Sequence, residues 1–211
     1  MKQILNIENW PRKEHFHFFR KFDEPFFGVT VTVDCTAGYA ISKTEKIPFF
    51  LYYLYKTLVA INQIEPFRYR ISGEEVFIYD RIDASPTISR QDGSFGFSLI
   101  EYNPDFQIFY PNALAEIERI KNTPGLFTRE FSDNLIHFSA LPWVNFTALS
   151  HARNSAFPDS CPKISFGKMT ITSDGKRTMP MSVHVHHGLM DGLHVGQFID
   201  FFQTEMNRNS L

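Results

Sequence analysis

The sequence predicts a mixed α/β fold, a two-layer sandwich of a largely antiparallel β-sheet packed with helices, and three observations predict it. Segments that alternate in β-branched and aromatic residues interleave with segments of helical periodicity along the whole chain. A late pair of strands, ISFGKMTIT and KRTMPMSVHVHH, flanks Ser173, Asp174 and Gly175 and demands antiparallel pairing. Within 211 residues there is no repeat, no linker and no low-complexity stretch, so residues 1–211 are expected to form one domain.

The elements follow in order. Pro11, tolerated at a first helical position, opens the stretch PRKEHFHFFRKF, in which Phe16, Phe19 and Phe22 mark an apolar face. FGVTVTVDCT, residues 27–36, alternates as a strand. Pro48 starts a long aromatic helix running to about residue 64. FRYRI and VFIYD form a hairpin around SGEE, with Gly73 in the turn. SFGFSLIEY is a further strand, and Asn103-Pro104 leads into a helix over residues 104–122. After Pro124-Gly125, both LIHFSAL and WVNFTAL have strand character. The last helix runs from Asp191 to about residue 206, with Val195, Phe198, Ile199 and Phe202 on its apolar side.

Composition narrows the function. Twenty-one Lys+Arg against 23 Asp+Glu give a net charge of −2 with no basic run, which argues against nucleic acid as a partner. The most apolar stretch, IPFFLYYLYKTLVAI, is broken by Lys56 and Thr57 and is shorter than the ~20 residues a bilayer span needs, so no membrane partner is expected. MKQILNIENW has no apolar core of the signal-peptide kind, and the expected location is cytoplasmic. Cys35 and Cys161 lack metal-type spacing and are expected as free thiols. Twenty-three Phe in a chain only 21% charged point to an apolar pocket or buried interface.

Chemistry concentrates in SVHVHHGLMDGLHV, where His184, His186, His187 and His194 surround Asp191. Strand alternation puts His184 and His186 on one face and His187 on the other. Three readings compete there. The histidines are satisfied by backbone and water at a strand end; or His184, His186 and Asp191 ligate zinc; or one imidazole, neutral at pH 7, acts as a general base. The chain has no G-x-S-x-G elbow and no cysteine in a motif, so a base would act without a protein nucleophile, by direct transfer between two bound substrates. That third reading is preferred.

His186-His187-Gly188-Leu189-Met190-Asp191-Gly192 matches the HHxxxDG signature of acyl-CoA-dependent acyltransferases. With NWPRKEHFHFF, LPWVNFT and SFGK in the same order, the chain resembles the chloramphenicol acetyltransferase family over essentially its whole length. The resemblance implies a homotrimer, with acetyl-CoA as co-substrate and a small hydroxyl acceptor, chloramphenicol first, in a tunnel at each subunit interface, and no metal. It makes His187 the base and pairs Arg12 with Asp191 to fix the turn. It places Ser165 at a hydroxyl position near the transition state, and Phe26 and Phe27 on the acceptor wall. Ala148 stands where the family has a serine hydroxyl facing the oxyanion, with Thr147 beside it as a substitute donor. These departures keep a different hydroxyl acceptor open, and, from other classes, a zinc hydrolase or a non-catalytic trimer that binds an apolar ligand.

Overall fold

The computed structural model describes residues 1–154, 156 and 159–208, which form two sheets and five helices. The smaller sheet pairs β1 (Lys2–Ile4) with β4 (Glu75–Tyr79), and β4 with β3 (Tyr69–Ser72), all antiparallel. Gly73, at φ 60°, turns β3 into β4 where the sequence placed a hairpin. The larger sheet runs β2 (Phe26–Asp34), β10 (Arg177–His186), β8 (Lys163–Phe166), β7 (Leu135–Ala140), β5 (Asp83–Ser89) and β6 (Phe95–Phe97). β9 (Thr170–Ile171) pairs beside β8 on β10. The β5–β7 and β7–β8 pairs are parallel and the others antiparallel, so the sheet is mixed as expected.

The helices are α1 (Lys13–Phe19), α2 (Thr36–Thr44), α3 (Phe49–Gln63), α4 (Phe106–Asn122) and α5 (Gly192–Asn207). Helix α3 is apolar nearly all round because it is buried nearly all round, with α2, α4 and α5 packed on it. One face of β10, Met181, Val183 and Val185, is fully buried in this helical layer. Phe166 of β8 joins the layers, its ring 4.8 Å from Tyr53 and 5.5 Å from Phe202.

Three expectations change, and two elements were not expected. Helix α1 stops at Phe19, three residues early; Phe22 folds back onto Phe18 and Phe19 and stays exposed while the chain turns toward β2. WVNFTAL is not a strand. Pro142 lacks a donor, and Val144 closes a turn onto the Leu141 carbonyl at 3.1 Å, leaving only Phe146 buried. SFGFSLIEY pairs only over Phe95–Phe97 and at the isolated Ile100–Ala84 bridge. Strand β5 and helix α2 went unanticipated, since Pro86 and Asp83 demote one, and Gly38 with the β-branched Thr36, Ile41 and Thr44 offsets the two alanines of the other.

Arg70 fixes the small sheet to the large one. It is 1% exposed and donates from Nε to the Asp133 carbonyl, from Nη1 to the Phe67 and Tyr69 carbonyls, and from Nη2 to the Leu135 carbonyl, at 2.6–2.9 Å. Arg70→Met would take the guanidinium from four carbonyls, of which that of Asp133 keeps the Leu135 N–H. The expected loss is about 3 kcal/mol or more of unfolding free energy, measured by urea denaturation; a loss under about 1 kcal/mol would show that water replaces the guanidinium.

Candidate active site

Strand β10 delivers the histidine segment. Val183 and Val185 enter the core, so His184 and His186 occupy the opposite face. His187 follows the strand's last residue, and its N–H donates to the Pro25 carbonyl at 2.8 Å. Its imidazole lies stacked on Phe19 of α1, with centroids 3.9 Å apart and planes 8° apart, and is flanked by Phe27 of β2 at 4.6 Å. His187 Nδ1 is buried with no hydrogen-bond partner.

A tight turn follows. The Leu189 and Met190 N–H groups both donate to the His186 carbonyl, at 3.0 and 3.2 Å, and the Gly188 N–H donates to His186 Nδ1 at 3.1 Å. Asp191 then caps α5. Its Oδ1 accepts from the Leu193 N–H at 3.1 Å, while its own N–H donates to His194 Nδ1 at 3.1 Å, a reciprocal capping box. The other carboxylate oxygen, Oδ2, pairs with Arg12 Nη1, and Arg12 Nη2 donates to the His187 carbonyl at 3.0 Å. One guanidinium therefore grips both ends of the turn that carries His187.

The charges are consistent with these contacts. Burial pushes the Asp191 carboxyl up, but Arg12, His194 and the Leu193 N–H outweigh it and hold the group below the ordinary aspartate value. Burial lowers His194, which keeps its ring neutral at pH 7 and lets Nδ1 accept from the Asp191 N–H, although Asp191 Oδ1 also lies 3.0 Å away. Burial, then Arg153, brings His186 down to about 4. Burial, then His184, does the same to His151.

The structure brings together Arg12, Asp191, His187 and Phe27. Phe26 falls on the other face of the sheet, 5.6 Å from the His186 ring and under the Arg153 guanidinium. Ser165 is fully buried on β8, in register with Ser182, with its hydroxyl unpartnered. Ser182 precedes His187 by five residues, about 16 Å along the strand, so Ser165 does not face His187 within one chain. Thr147 and Ala148 are exposed in the loop after β7. The proposed zinc ligands do not converge: His184 Nδ1 meets the Ser182 hydroxyl, His186 Nδ1 holds Gly188, and Asp191 holds Arg12. The one metal-competent trio among the described residues is His137, Asp159 and Cys161, where the Lys163 ammonium already pairs with Asp159.

Two residues at the site escaped the sequence reading. Phe19 was visible only as a core face, and the capping role of His194 hid behind the metal and base alternatives. The spacing of Asp191 and His194, a helix start and its third residue, was the available signal.

The buried histidines set a pH dependence. A histidine whose folded pKa is depressed resists protonation only while folded. Stability is therefore complete above about pH 6.5 and falls as the pH drops toward 4, the window in which the unfolded chain binds more protons. His186, 4% exposed, accounts for about 3 kcal/mol across that window. Urea midpoints measured from pH 7.5 to 4.5 should fall steadily, and His186→Gln should flatten the slope. An equal slope in the variant would mean that His186 carries none of it.

Comparison with known proteins agrees along the whole chain. The chloramphenicol acetyltransferase family model matches residues 2–203. Chloramphenicol acetyltransferase 3 of Escherichia coli is 30% identical over 205 residues, 96% of this chain and 96% of that protein. The chloramphenicol acetyltransferase of Bacillus pumilus is 27% identical, covering 93% of this chain and 90% of that protein. A solved chloramphenicol acetyltransferase structure superposes with a TM-score of 0.90 at 34% identity, over 98% of this chain and 100% of that one. The cubic core of the pyruvate dehydrogenase multienzyme complex shares the fold at a TM-score of 0.66 and 12% identity, over 92% of this chain and 86% of that one. On the match of both its sequence and its fold, the chain belongs to the chloramphenicol acetyltransferase family of acyltransferases.

Proposed function

We propose that this chain is an acetyl-CoA-dependent O-acetyltransferase, with His187 as the general base and chloramphenicol or a similar small molecule as acceptor. The observation that carries the reading is the grip of Arg12 on Asp191 and on the His187 carbonyl, which fixes an imidazole between two aromatic rings. With Nδ1 buried, Nε2 is the nitrogen that meets substrate. It takes the proton of the acceptor hydroxyl as that oxygen attacks the thioester carbonyl. The tetrahedral intermediate then collapses, the C–S bond breaks, and the imidazolium returns the proton to the departing CoA thiolate. Phe19 and Phe27 orient the ring and keep water from it. Asp191 acts on the turn rather than on the proton.

A homotrimer with the site at each subunit interface is part of this proposal. The Thr147–Ala148 loop lies away from His187 within one chain and is exposed, so the Thr147 hydroxyl reaches its substrate only from a neighbouring copy. Large apolar side chains await cover: Trp143 is 74% exposed, Phe127 68% and Phe18 60%. No helix among the described residues is long and apolar enough to cross a membrane. A second reading keeps the chemistry but changes the acceptor. It is favoured by Ala148, which cannot donate to an oxyanion.

Thiol release from acetyl-CoA, with chloramphenicol and a panel of small hydroxyl acceptors, tests both readings. His187→Ala should lower kcat by about 10³ or more, and undiminished release would remove His187 as the base. Ala148→Ser should raise chloramphenicol turnover about tenfold or more by supplying an oxyanion donor. No gain would show that Thr147, water or backbone already fills that role.

A further inference from the structure

We propose that His137, Asp159 and Cys161 form a binding site for a zinc ion, sharing no residue with the His187 turn, and that the ion displaces the Lys163 ammonium. The inference rests on side-chain placement and is independent of the acetyltransferase reading. One ligand atom from each of the three residues, an imidazole nitrogen, a carboxylate oxygen and Sγ, lies within 4.8 Å of the other two. Ile136 and Phe138 of β7 and Ile164 and Phe166 of β8 enter the core, so His137 and Lys163, paired in register, stand side by side on the opposite face. The segment entering β8 supplies the other two ligands on a fixed backbone. The Cys161 N–H donates to Asp159 Oδ1 at 2.8 Å, and the Ser160 hydroxyl accepts from the Ile71 N–H at 2.9 Å. The Cys161 thiol donates to the Asp133 carbonyl at 3.6 Å, and the His137 N–H donates to the Pro162 carbonyl at 2.9 Å.

The donor set selects the metal. Nitrogen, oxygen and sulfur donors together suit zinc, whereas calcium and magnesium call for oxygen alone. A tetrahedral zinc holds its ligand atoms roughly 3.5 Å apart, so the trio closes on an ion by side-chain rotations of about 1 Å. The three line a cavity of about 230 Å³ together with Ile71, Phe131 and Asp133. That leaves room for the water a three-ligand site takes as its fourth donor. His137 is exposed, which gives the ion a way in. Binding forms metal bonds to the imidazole, the carboxylate and the thiolate, and the thiol proton passes to solvent. Lys163 competes with the ion, since its ammonium pairs with Asp159. The Phe26 ring, 5.1 Å from Lys163 Nζ, offers the displaced ammonium a cation–π position. An ion pair alone accounts for Asp159 and Lys163, but it does not require an imidazole and a thiol beside the same carboxylate.

The test titrates untagged protein, stripped with a chelator and dialysed, with zinc or with cobalt(II). Wild type is compared with Cys161→Ala, His137→Ala, Lys163→Met and His184→Ala. Wild type should take up about one zinc per chain, and cobalt should give the intense near-ultraviolet band of a thiolate–cobalt bond. Cys161→Ala should lose that band, and His137→Ala should weaken zinc binding about tenfold or more. Lys163→Met should tighten it about tenfold, because the competing cation is gone while all three ligands stay. His184→Ala removes a histidine from the same face of the sheet and should leave zinc affinity unchanged. No uptake by wild type overturns the proposal, as do cobalt binding without the thiolate band and zinc binding undiminished in His137→Ala. Where Cys161→Ala fails to fold, the cobalt band of wild type and the tighter binding of Lys163→Met decide in its place.

Discussion

Everything at the candidate site depends on one guanidinium that spans the chain's length. Arg12 lies at the start of α1, and its two acceptors, the Asp191 carboxylate and the His187 carbonyl, lie 179 and 175 residues later. An exposed ion pair contributes little, but this arginine side chain is only 12% exposed and uses its planar fork on two acceptors at once. The pairing brings α1, β2, the end of β10 and the start of α5 to one point. Phe19 and Phe27 arrive there because α1 and β2 do. A lysine could neutralise Asp191 but has no planar fork to hold the carboxylate and the carbonyl in one fixed geometry.

The division of β10 into two faces is the next consequence. Its valines and methionines hold it against the helices, so its histidines are forced to the other side, under the loop after β7. Only past the last strand residue can a histidine rejoin the face where Phe27 lies, and His187 occupies that position. Burial keeps His186 and His151 neutral at pH 7. They stabilise a turn and a loop, not a metal.

Much of this was legible in the sequence because it is local. The hairpin at Gly73, the aromatic helix after Pro48, and the start of the last helix at Asp191 each rest on residues within a few positions of one another. The turn at His187 was legible for the same reason, through a seven-residue pattern. What was missed is set from a distance. Strand β5 owes its place to parallel pairing with β7, which its Pro86 conceals, and WVNFTAL has strand composition but is taken out of the sheet by Pro142 and the turn that Val144 closes on Leu141. Phe26 and Phe27 are neighbours in sequence, yet the pleat sends them to opposite faces, so only Phe27 joins His187.

The unpartnered hydroxyl of Ser165 tests how the proposed function fits the fold. A buried hydroxyl without a hydrogen bond costs on the order of 1–3 kcal/mol, and Ser165 lies in a row with Ser139 on β7 and Ser182 on β10, where a small apolar residue would fit as well. Stability alone gives no reason for an oxygen there. Covered within its own chain, that oxygen lies beneath the polar face of the sheet and not on a surface offered to a neighbouring copy. The proposed reading explains why Ala148 matters more than its size suggests. A site assembled from two copies gets its base from one and its oxyanion donors from the other, and Ala148 removes a donor from the second contribution while leaving the first intact.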